Sequence, residues 1–217
     1  MNIVNKYIEY RKIEQTFVQG IIDANIKRSD IYKAGRMLGL VDGNTVVMNN
    51  GYDTSCVLDF LINEYNGEVE TILQKHLIKN RNNLSIVEKE VLKAYANSYS
   101  SFFQATSSSA EKCSIELLDL FNNDNKVVLT DIAISKITLQ TRILKTLIFT
   151  RIVPFTEFNM TSGIVFAFDI RNERLLASEY DKIYEKLSTG DESMKRFICF
   201  FKLNKKFCIT TKKIEHT

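Results

Sequence analysis

Residues 98–170 decide the fold of this chain and read SYSSFFQATSSSAEKCSIELLDLFNNDNKVVLTDIAISKITLQTRILKTLIFTRIVPFTEFNMTSGIVFAFDI. Short runs rich in β-branched and aromatic residues alternate here with Ser, Asn and Asp at spacings of roughly ten residues, which is typical of short strands joined by tight turns. The stretch therefore predicts a small antiparallel β-barrel or a strongly bent sheet. It predicts an architecture but contains no motif that identifies a chemical reaction.

Five strands are predicted within this stretch, near residues 99–106, 113–121, 126–131, 142–153 and 160–169. Residues 122–125 form a polar connection between the second and third strands, because Asn and Asp tolerate turn and left-handed conformations. Asp131–Leu139 fits either a short helix or an irregular turn. The sequence therefore does not decide between these two structures for the link between the third and fourth strands.

The chain before the sheet is predicted to be mainly helical. Apolar residues recur every three to four positions through a long first helix, at Ile3, Tyr7, Tyr10, Ile13, Phe17, Ile21 and Ala24. A short helix follows, capped by Ser29 or Asp30 and ended by Gly39. An Asp-Gly turn signal beside a β-branched run then predicts a short strand or hairpin at residues 40–48.

Further helices are predicted between this β element and the sheet. One begins at Asp53 or Thr54, and another covers Glu68–Lys79. The clearest helix start is at Ser85, with Glu88 three residues later. This spacing is a capping box, in which each side chain satisfies the other's exposed backbone N–H. The resulting helix leads directly into the first strand.

The helical period returns after the sheet, where Leu176, Tyr180, Ile183 and Leu187 share one face. Residues 196–203 and 206–211 flank Asn204-Lys205 and predict a terminal hairpin. The predicted fold class is therefore α+β, with a helical N-terminal half, a small antiparallel β-barrel or bent sheet, and a C-terminal helix and basic β-hairpin. The three regions are 1–97, 98–170 and 171–217, and we expect them to pack as one compact unit.

The composition indicates an ordinary globular protein, with 45% hydrophobic and 25% charged residues. The N-terminus has charges every few residues and no apolar core of a signal peptide, and the longest apolar runs are too short to span a bilayer. The four cysteines have no CxxC spacing, so free thiols are expected. We therefore expect a cytoplasmic protein that does not contact a membrane.

No catalytic set is predicted. The two histidines, His76 and His216, lack partners at catalytic spacing, and the chain contains no GxGxxG, Walker, HExxH or GxSxG motif. We accordingly expect no catalytic residue and no cofactor.

A carboxylate metal site is kept as an alternative. Glu116, Asp119 and Asp131 lie on or beside adjacent predicted strands, with Asp169 as a further candidate, and such groups bind magnesium in metal-dependent nucleases. Glu116 and Asp119 are an odd number of residues apart, so a regular strand directs them to opposite faces. Solvated or turn-closing carboxylates are the simpler interpretation.

The basic residues are concentrated at the C-terminus. Residues 1–194 carry a net charge of −3 and residues 195–217 a net charge of +6. The candidate anion-binding or nucleic-acid-binding residues are Lys195, Arg196, Lys202, Lys205, Lys206, Lys212 and Lys213. Four phenylalanines are interleaved with them, at positions 197, 200, 201 and 207. Lysines neutralise phosphates and aromatic rings stack on bases, so RNA or DNA is one expected partner. The other interpretation is an edge hairpin whose phenylalanines face the core and whose lysines prevent aggregation.

Several short elements, in the same order along residues 30–170, resemble an uncharacterised family of bacterial proteins. They are Leu38–Leu40, Thr45–Met48, Val57–Ile62, Leu84 with Glu88 and Leu92, Ser101–Phe103, Leu118–Leu120, Val127-Val128, Thr150–Val153 and Met160–Gly163. Some members resemble proteins that end in the cysteine-rich zinc motif of the SecA translocase. Cys199 and Cys208 lack that paired pattern, so the resemblance implies no zinc site here and no activity.

The leading functional expectation is a non-enzymatic cytoplasmic interaction or regulatory module that contacts nucleic acid through its basic C-terminal segment. The first alternative is a metal-dependent hydrolase or nuclease using the strand carboxylates. The second is a structural subunit of an assembly, bound to another protein or to a second copy, which predicts an exposed apolar patch.

Overall fold

The computed structural model describes residues 2–65, 71–135, 146–188 and 190–207. Helix α1 (Ile3–Ile13) continues through a π-helical segment (Glu14–Val18) into α2 (Gln19–Asn25). The long amphipathic first helix is thus confirmed, with one irregular turn. Helix α3 (Arg28–Leu38) ends at Gly39, whose φ of 77° is left-handed, as expected for a glycine that terminates a helix.

The remaining helices of the N-terminal half are α4 (Gly51–Asn63), α5 (Ile72–Asn80) and α6 (Ile86–Ala96), after a short hairpin of β1 (Val41–Asp42) and β2 (Thr45–Val46). Asn50 caps α4, so that helix begins a few residues earlier than predicted. The capping box of α6 is confirmed. The helix predicted over Glu68–Lys79 corresponds to α5, and its predicted start lies in residues 66–70, outside the described residues.

Five strands form one mixed sheet: β3 (Tyr99–Ser109), β4 (Ser114–Asp119), β5 (Asn125–Thr130), β6 (Thr146–Pro154) and β7 (Asn159–Asp169). The pairs β3–β4, β4–β5, β3–β6 and β6–β7 are antiparallel. A helical turn at residues 132–135 follows β5, and the rest of the ambiguous link lies outside the described residues.

The sheet departs from the predicted antiparallel pattern at one contact. The end of β5 meets the start of β7 in parallel, through the single residue pair Leu129 and Asn159. Asn159 Nδ2 donates to the carbonyl oxygen of Val128 at 3.0 Å and adds to this contact. The contact is parallel because four successive antiparallel pairs, β5–β4, β4–β3, β3–β6 and β6–β7, separate the two strands across the sheet, so β5 and β7 run in the same direction. The sheet is thus strongly bent, with its edges joined at one pair and no continuous ladder to close a barrel.

The C-terminal part differs most from expectation. A 3₁₀ turn (Ile170–Asn172) precedes α7 (Glu173–Tyr184), and α8 (Glu192–Phe207) replaces the predicted hairpin. Met194, Phe197, Ile198 and Phe201 are buried at helical spacings of three, one and three residues. This apolar face packs against the sheet. The segment is therefore a helix, and the turn that Asn204-Lys205 suggested does not form. Residues 208–217 lie outside the described residues.

Three apolar clusters form the core. One packs α3, α4 and α8 on the outer face of the sheet, a second packs α1, α2, α5 and α6 at the end of β6, and a third fills the inside of the bend. Strand β6 is buried along nearly its whole length, because helices cover one face and the bend encloses the other. Within the described parts of the chain, no helix has the length and apolar character needed to cross a membrane.

Candidate functional site

The described basic candidates all lie on α8, and most contact neighbours in the same chain. Lys205 Nζ is 2.5 Å from Asp53 Oδ1, and Lys206 Nζ is 3.2 Å from Glu179 Oε2. Lys195 lies 5.2 Å above the ring of Tyr184, and the Arg196 guanidinium lies 4.8 Å above that of Phe121. Lys202 is half-buried, whereas Lys212 and Lys213 lie outside the described residues.

The phenylalanines of this segment face inward. Phe197, Phe200 and Phe201 are each at most 2% exposed, and Phe200 stacks on Phe149 of β6 with a centroid distance of 4.3 Å. Their rings are therefore unavailable for stacking on nucleobases. The phenylalanines therefore face the core, as one of the two interpretations predicted. The hairpin of that interpretation is wrong, because the segment is a helix.

The three strand carboxylates do not converge. Glu116 lies 3.1 Å from Lys126, on the opposite face of β4 from the buried Asp119. Asp119 accepts hydrogen bonds from Ser101 and Asn122. Asp131 caps the helical turn after β5. Among the described residues, no three His, Cys, Asp or Glu side chains lie close enough together to hold a metal ion. Asp169, the further candidate, pairs instead with Arg171 at the end of β7.

Three of the cysteines and one of the histidines lie within the described residues. Cys56, Cys113 and Cys199 are free thiols, as predicted, and burial raises the pKa of Cys199 to about 12. His76 packs edge-on against Phe17, with 5.8 Å between ring centroids. Cys208 and His216 lie outside the described residues.

The most unusual buried side chain is Arg151, on β6. Leu147, Phe149, Arg151 and Val153 alternate along one face of this strand, the face that the helices cover. Leu147 and Phe149 belong to the outer core cluster, and Val153 belongs to the cluster of N-terminal helices. The guanidinium is therefore placed between two apolar clusters, with its side chain only 4% exposed.

Helix α4 supplies the acidic partners of Arg151. Its guanidinium donates to Glu64 at the end of α4, and Nε lies 3.4 Å from Asp59 Oδ2. Nη1 also donates to Ser98 Oγ at 3.3 Å, and Ser100 Oγ donates to Glu64 Oε1 at 2.6 Å. These contacts join α4 to β6 and to the start of β3.

A second arginine lies at the other end of the same polar region. Arg11 Nη1 donates to Glu14 Oε2 at 2.8 Å, and Nη2 lies 3.7 Å from Asp131 Oδ2. Tyr95 of α6 donates to the other oxygen of Glu14. Thr161 donates to Asp131 at 3.2 Å. Glu14 begins the π-helical segment, an irregularity that is frequent at functional sites.

These contacts form two groups, which we together call the ionic cluster. Arg11, Glu14 and Asp131 make up one group, and Asp59, Glu64 and Arg151 make up the other. The two groups face each other across the interior, where the charge of Asp59 helps to raise the pKa of Glu14.

A cavity of about 230 Å³ opens beside the ionic cluster. Its polar wall includes Glu14, Asp59, Tyr95 and Ser162, and its apolar wall includes Val18, Ile22, Leu58, Ile62 and Ile164. Ser162 Oγ has less than 1 Å² of accessible surface, so a molecule in the cavity does not reach it. Its hydroxyl faces Asp59 and lowers the pKa of that carboxyl by hydrogen bonding.

Burial sets the protonation of the two cavity carboxylates. Burial raises the pKa of Glu14, and the charge of Arg11 and the Tyr95 hydroxyl only partly oppose it. Burial likewise raises the pKa of Asp59 against the opposing charge of Arg151. Both shifts have the direction expected for acids removed from water. The cavity therefore adjoins two carboxyl groups that keep their protons to higher pH than exposed carboxyl groups do.

The sequence interpretation missed most of this site. Only Asp131 had been singled out, and as a metal ligand. A signal did exist, because Asp59 interrupts the apolar run Val57–Ile62 and Arg151 interrupts the run 147–153. Charged residues are almost never fully buried unless they are paired, so each of these positions required a distant partner.

Together these features define an α+β protein in which helices pack on a strongly bent mixed sheet around a buried ionic cluster. The chain belongs to the family of unknown function DUF7986, whose family model matches residues 1–214. The expectation of an uncharacterised family is thus confirmed. No curated protein and no solved structure matches the chain.

Proposed function

We propose that this protein is a non-enzymatic interaction or regulatory module that binds a small molecule in the cavity beside the ionic cluster. The observation that carries this proposal is the cavity itself, in which two buried carboxylates, Glu14 and Asp59, share the lining with an apolar wall. Small-molecule sites are typically lined by apolar side chains with a small number of polar groups that orient the ligand.

The walls of the cavity support a regulatory role. They come from the π-helical segment, α2, α4, α6 and β7, which are parts of the N-terminal helical half and one strand of the sheet. A ligand that contacts both the helices and the strand would stabilise the packing of the N-terminal helices on the sheet, because a molecule that binds only the folded state increases its stability. We propose the cytoplasm as the compartment, in keeping with the free thiols of Cys56, Cys113 and Cys199.

The test is a methyl-resolved NMR titration of the full chain with small cationic, neutral and anionic compounds. We expect at least one compound to shift the methyl signals of Val18, Ile62 and Ile164 in a saturable way. Leu58→Phe, which narrows the cavity, should weaken that binding. Leu175→Phe, at an exposed leucine of α7, is the matched control and should leave it unchanged. Absence of any saturable shift at these methyls would refute the proposed function.

A contact with RNA or DNA is a second proposal, supported by the cationic last turn of α8. Lys206 is more than half exposed there, and Lys212 and Lys213 follow in the sequence. With the phenylalanines in the core, the contact would involve phosphates without base stacking. Its affinity would therefore fall steeply with salt and show no sequence preference. The test is an anisotropy titration of single-stranded RNA and DNA at low salt, with the seven basic candidates neutralised as the comparison. Undetectable affinity, or equal affinity of the neutralised variant, would show this proposal to be wrong.

A further inference from the structure

A second cavity lies between the first turn of α8 and the neighbouring ends of β3, β4 and β5. Its volume of about 560 Å³ is within the ~300–1,000 Å³ of typical ligand pockets. Each residue of its lining carries a side chain that can form hydrogen bonds, so we call it the polar cavity. A lining of this kind suits a ligand that has several hydrogen-bonding groups of its own.

The floor of the polar cavity is fixed by Asp119 at the end of β4. This carboxylate is buried and accepts hydrogen bonds from Ser101 Oγ, from the backbone N–H of Phe121 at 3.1 Å and from Asn122 Nδ2 at 2.7 Å. Asp119 therefore holds the turn that carries Phe121 and Asn122. Because its oxygens already have three donors, its role is to position the residues around it.

Arg196 of α8 brings unused hydrogen-bond donors to this cavity. Its guanidinium lies 4.8 Å from the centre of the Phe121 ring, and such stacking orients the planar group and its five N–H donors. Glu192 lies one helical turn away in the same lining, yet it accepts instead from the Tyr184 hydroxyl. Within the part of the chain that the structure describes, the Arg196 side chain makes no ion pair or hydrogen bond. Its donors are therefore available to a ligand.

Other elements add acceptors and further donors. The side-chain amide of Asn125, the Oδ1 of Asn122 and one oxygen of Glu192 have no hydrogen-bond partner among the described residues. The hydroxyl of Tyr99 is likewise unpaired there, and this residue is 36% exposed. Free donors and acceptors from β3, the turn after β4, β5 and α8 thus meet at one cavity. Its charges nearly balance, since Arg196 and Glu192 have opposite signs.

We propose that the polar cavity binds a neutral sugar, whose hydroxyl groups hydrogen-bond to Arg196, Asn125 and Glu192. A hydroxyl group both donates and accepts, so several hydroxyls on one ring match a lining in which donors and acceptors are mixed. The ring of Tyr99 supplies an apolar surface for the C–H groups of the sugar. An anion would pair with Arg196 but would meet two carboxylates, and a cation would meet the guanidinium. This inference goes beyond the proposed function, because it concerns a different cavity and a different ligand.

The experiment is an NMR titration of the full chain, in which backbone amide signals are followed. The probes are the methyl α-D-glycosides of glucose, galactose and mannose, which differ in the orientation of single hydroxyl groups, with inorganic phosphate as the anionic comparison. We expect at least one glycoside to shift the amide signals of Asn122, Asn125 and Ser193 in a saturable way, and phosphate to bind more weakly. The methyl signals of Val18 and Ile62 report on the other cavity, so the two proposals succeed or fail separately.

Two variants test the assigned contacts without leaving a buried group unpaired. Arg196→Met keeps much of the side-chain stem but removes the N–H donors, and should weaken glycoside binding by about tenfold, since hydrogen bonds to a charged group are worth a factor of that order. Asn125→Ala, at an exposed amide, should weaken it severalfold. Lys195→Met is the matched control, because Lys195 has the same charge on the same helix but lies outside the lining, and the affinity should not change. Absence of a saturable shift with all three glycosides, tighter binding of phosphate than of any glycoside, or unchanged affinity in both variants would overturn the proposal.

Discussion

Arg151→Met is the substitution that we expect to destabilise this protein most through electrostatics. Methionine keeps much of the length and volume of the side chain, but it removes the positive charge between Asp59 and Glu64. Both carboxylates are at most 6% exposed, so water cannot replace the lost partner. Removing one partner of a buried ion pair costs about 3–5 kcal/mol, because the remaining charge is left uncompensated.

That loss is large compared with the total stability of a domain. Unfolding free energies are about 5–15 kcal/mol, and for chains of this size 1 kcal/mol corresponds to about 2–4 °C in Tm. Arg151→Met should therefore lower Tm by about 6–20 °C. The assay is urea unfolding followed by circular dichroism, together with a thermal scan. Arg171→Met is the matched control, because Arg171 pairs with Asp169 but its side chain is 79% exposed, and its loss should have little effect.

A triple variant separates the effect of charge from that of packing. Arg151→Met combined with Asp59→Asn and Glu64→Gln removes the unpaired charges while nearly preserving side-chain shape. We expect it to recover more than half of the stability lost in the single variant, because neutral replacement of a whole buried ion-pair group is much less costly than removal of one member. A loss below about 1 kcal/mol in the single variant, the size of an average substitution, would refute this reasoning. So would a triple variant that is no more stable than the single one.

Four further predictions concern protonation, packing, helix propensity and capping. Burial raises the pKa of Glu14, so over a range of pH the native state holds a proton that the unfolded chain has already released. Wild type should therefore lose stability relative to Glu14→Gln as pH rises through this range. Urea unfolding of both proteins at pH values from 4.5 to 8 measures this difference. Gly35→Ala should cost about 1–3 kcal/mol, because its Cβ would lie 2.9 Å from Val46, and Val46→Ala should restore stability. Gly20→Ala, with open space around it, should instead stabilise the helix by about 0.5–1 kcal/mol by the same assay. Ser85→Ala should cost about 1 kcal/mol in thermal unfolding, and no loss there would contradict the role of its capping box.

The parts of the fold that depend on local signals could be predicted from the sequence. The capping box at Ser85 and the left-handed Gly39 determine helix ends through contacts within a few residues. The strands of the bent sheet likewise follow from short β-branched runs and polar turns. The parallel contact of β5 with β7 could not be predicted, because it depends on how far the whole sheet bends before its edges meet.

Helix α8 was missed for a different reason. Asn204-Lys205 resembles a hairpin turn, and the alternation of lysines with phenylalanines resembles a strand. The helical spacing of Met194, Phe197 and Phe201 was equally present. Short amphipathic segments of this kind are ambiguous, and tertiary packing decides between them. Here the outer face of the sheet offers an apolar surface that α8 covers together with α3 and α4.

The ionic cluster could not be assembled from the sequence, because its members come together only in the folded chain. Arg151 lies 92 residues from Asp59 and 87 residues from Glu64. A charge inside an apolar run indicates that some partner exists, but it does not identify that partner. The cavity beside the cluster is also lined by five elements, the π-helical segment, α2, α4, α6 and β7, so its lining becomes known only with the fold.

The ionic cluster is a better indication of function than the basic C-terminus, although the latter dominates the charge pattern of the sequence. Exposed ion pairs such as Lys206–Glu179 contribute little to stability and occur on the surfaces of most proteins. A buried ion pair is different, since well-packed hydrophobic residues of similar volume are often at least as stable. Stability therefore gives little reason to place four carboxylates and two arginines between apolar clusters. The proposed binding of a small molecule would give one, because two of those carboxylates, Glu14 and Asp59, line the adjoining cavity.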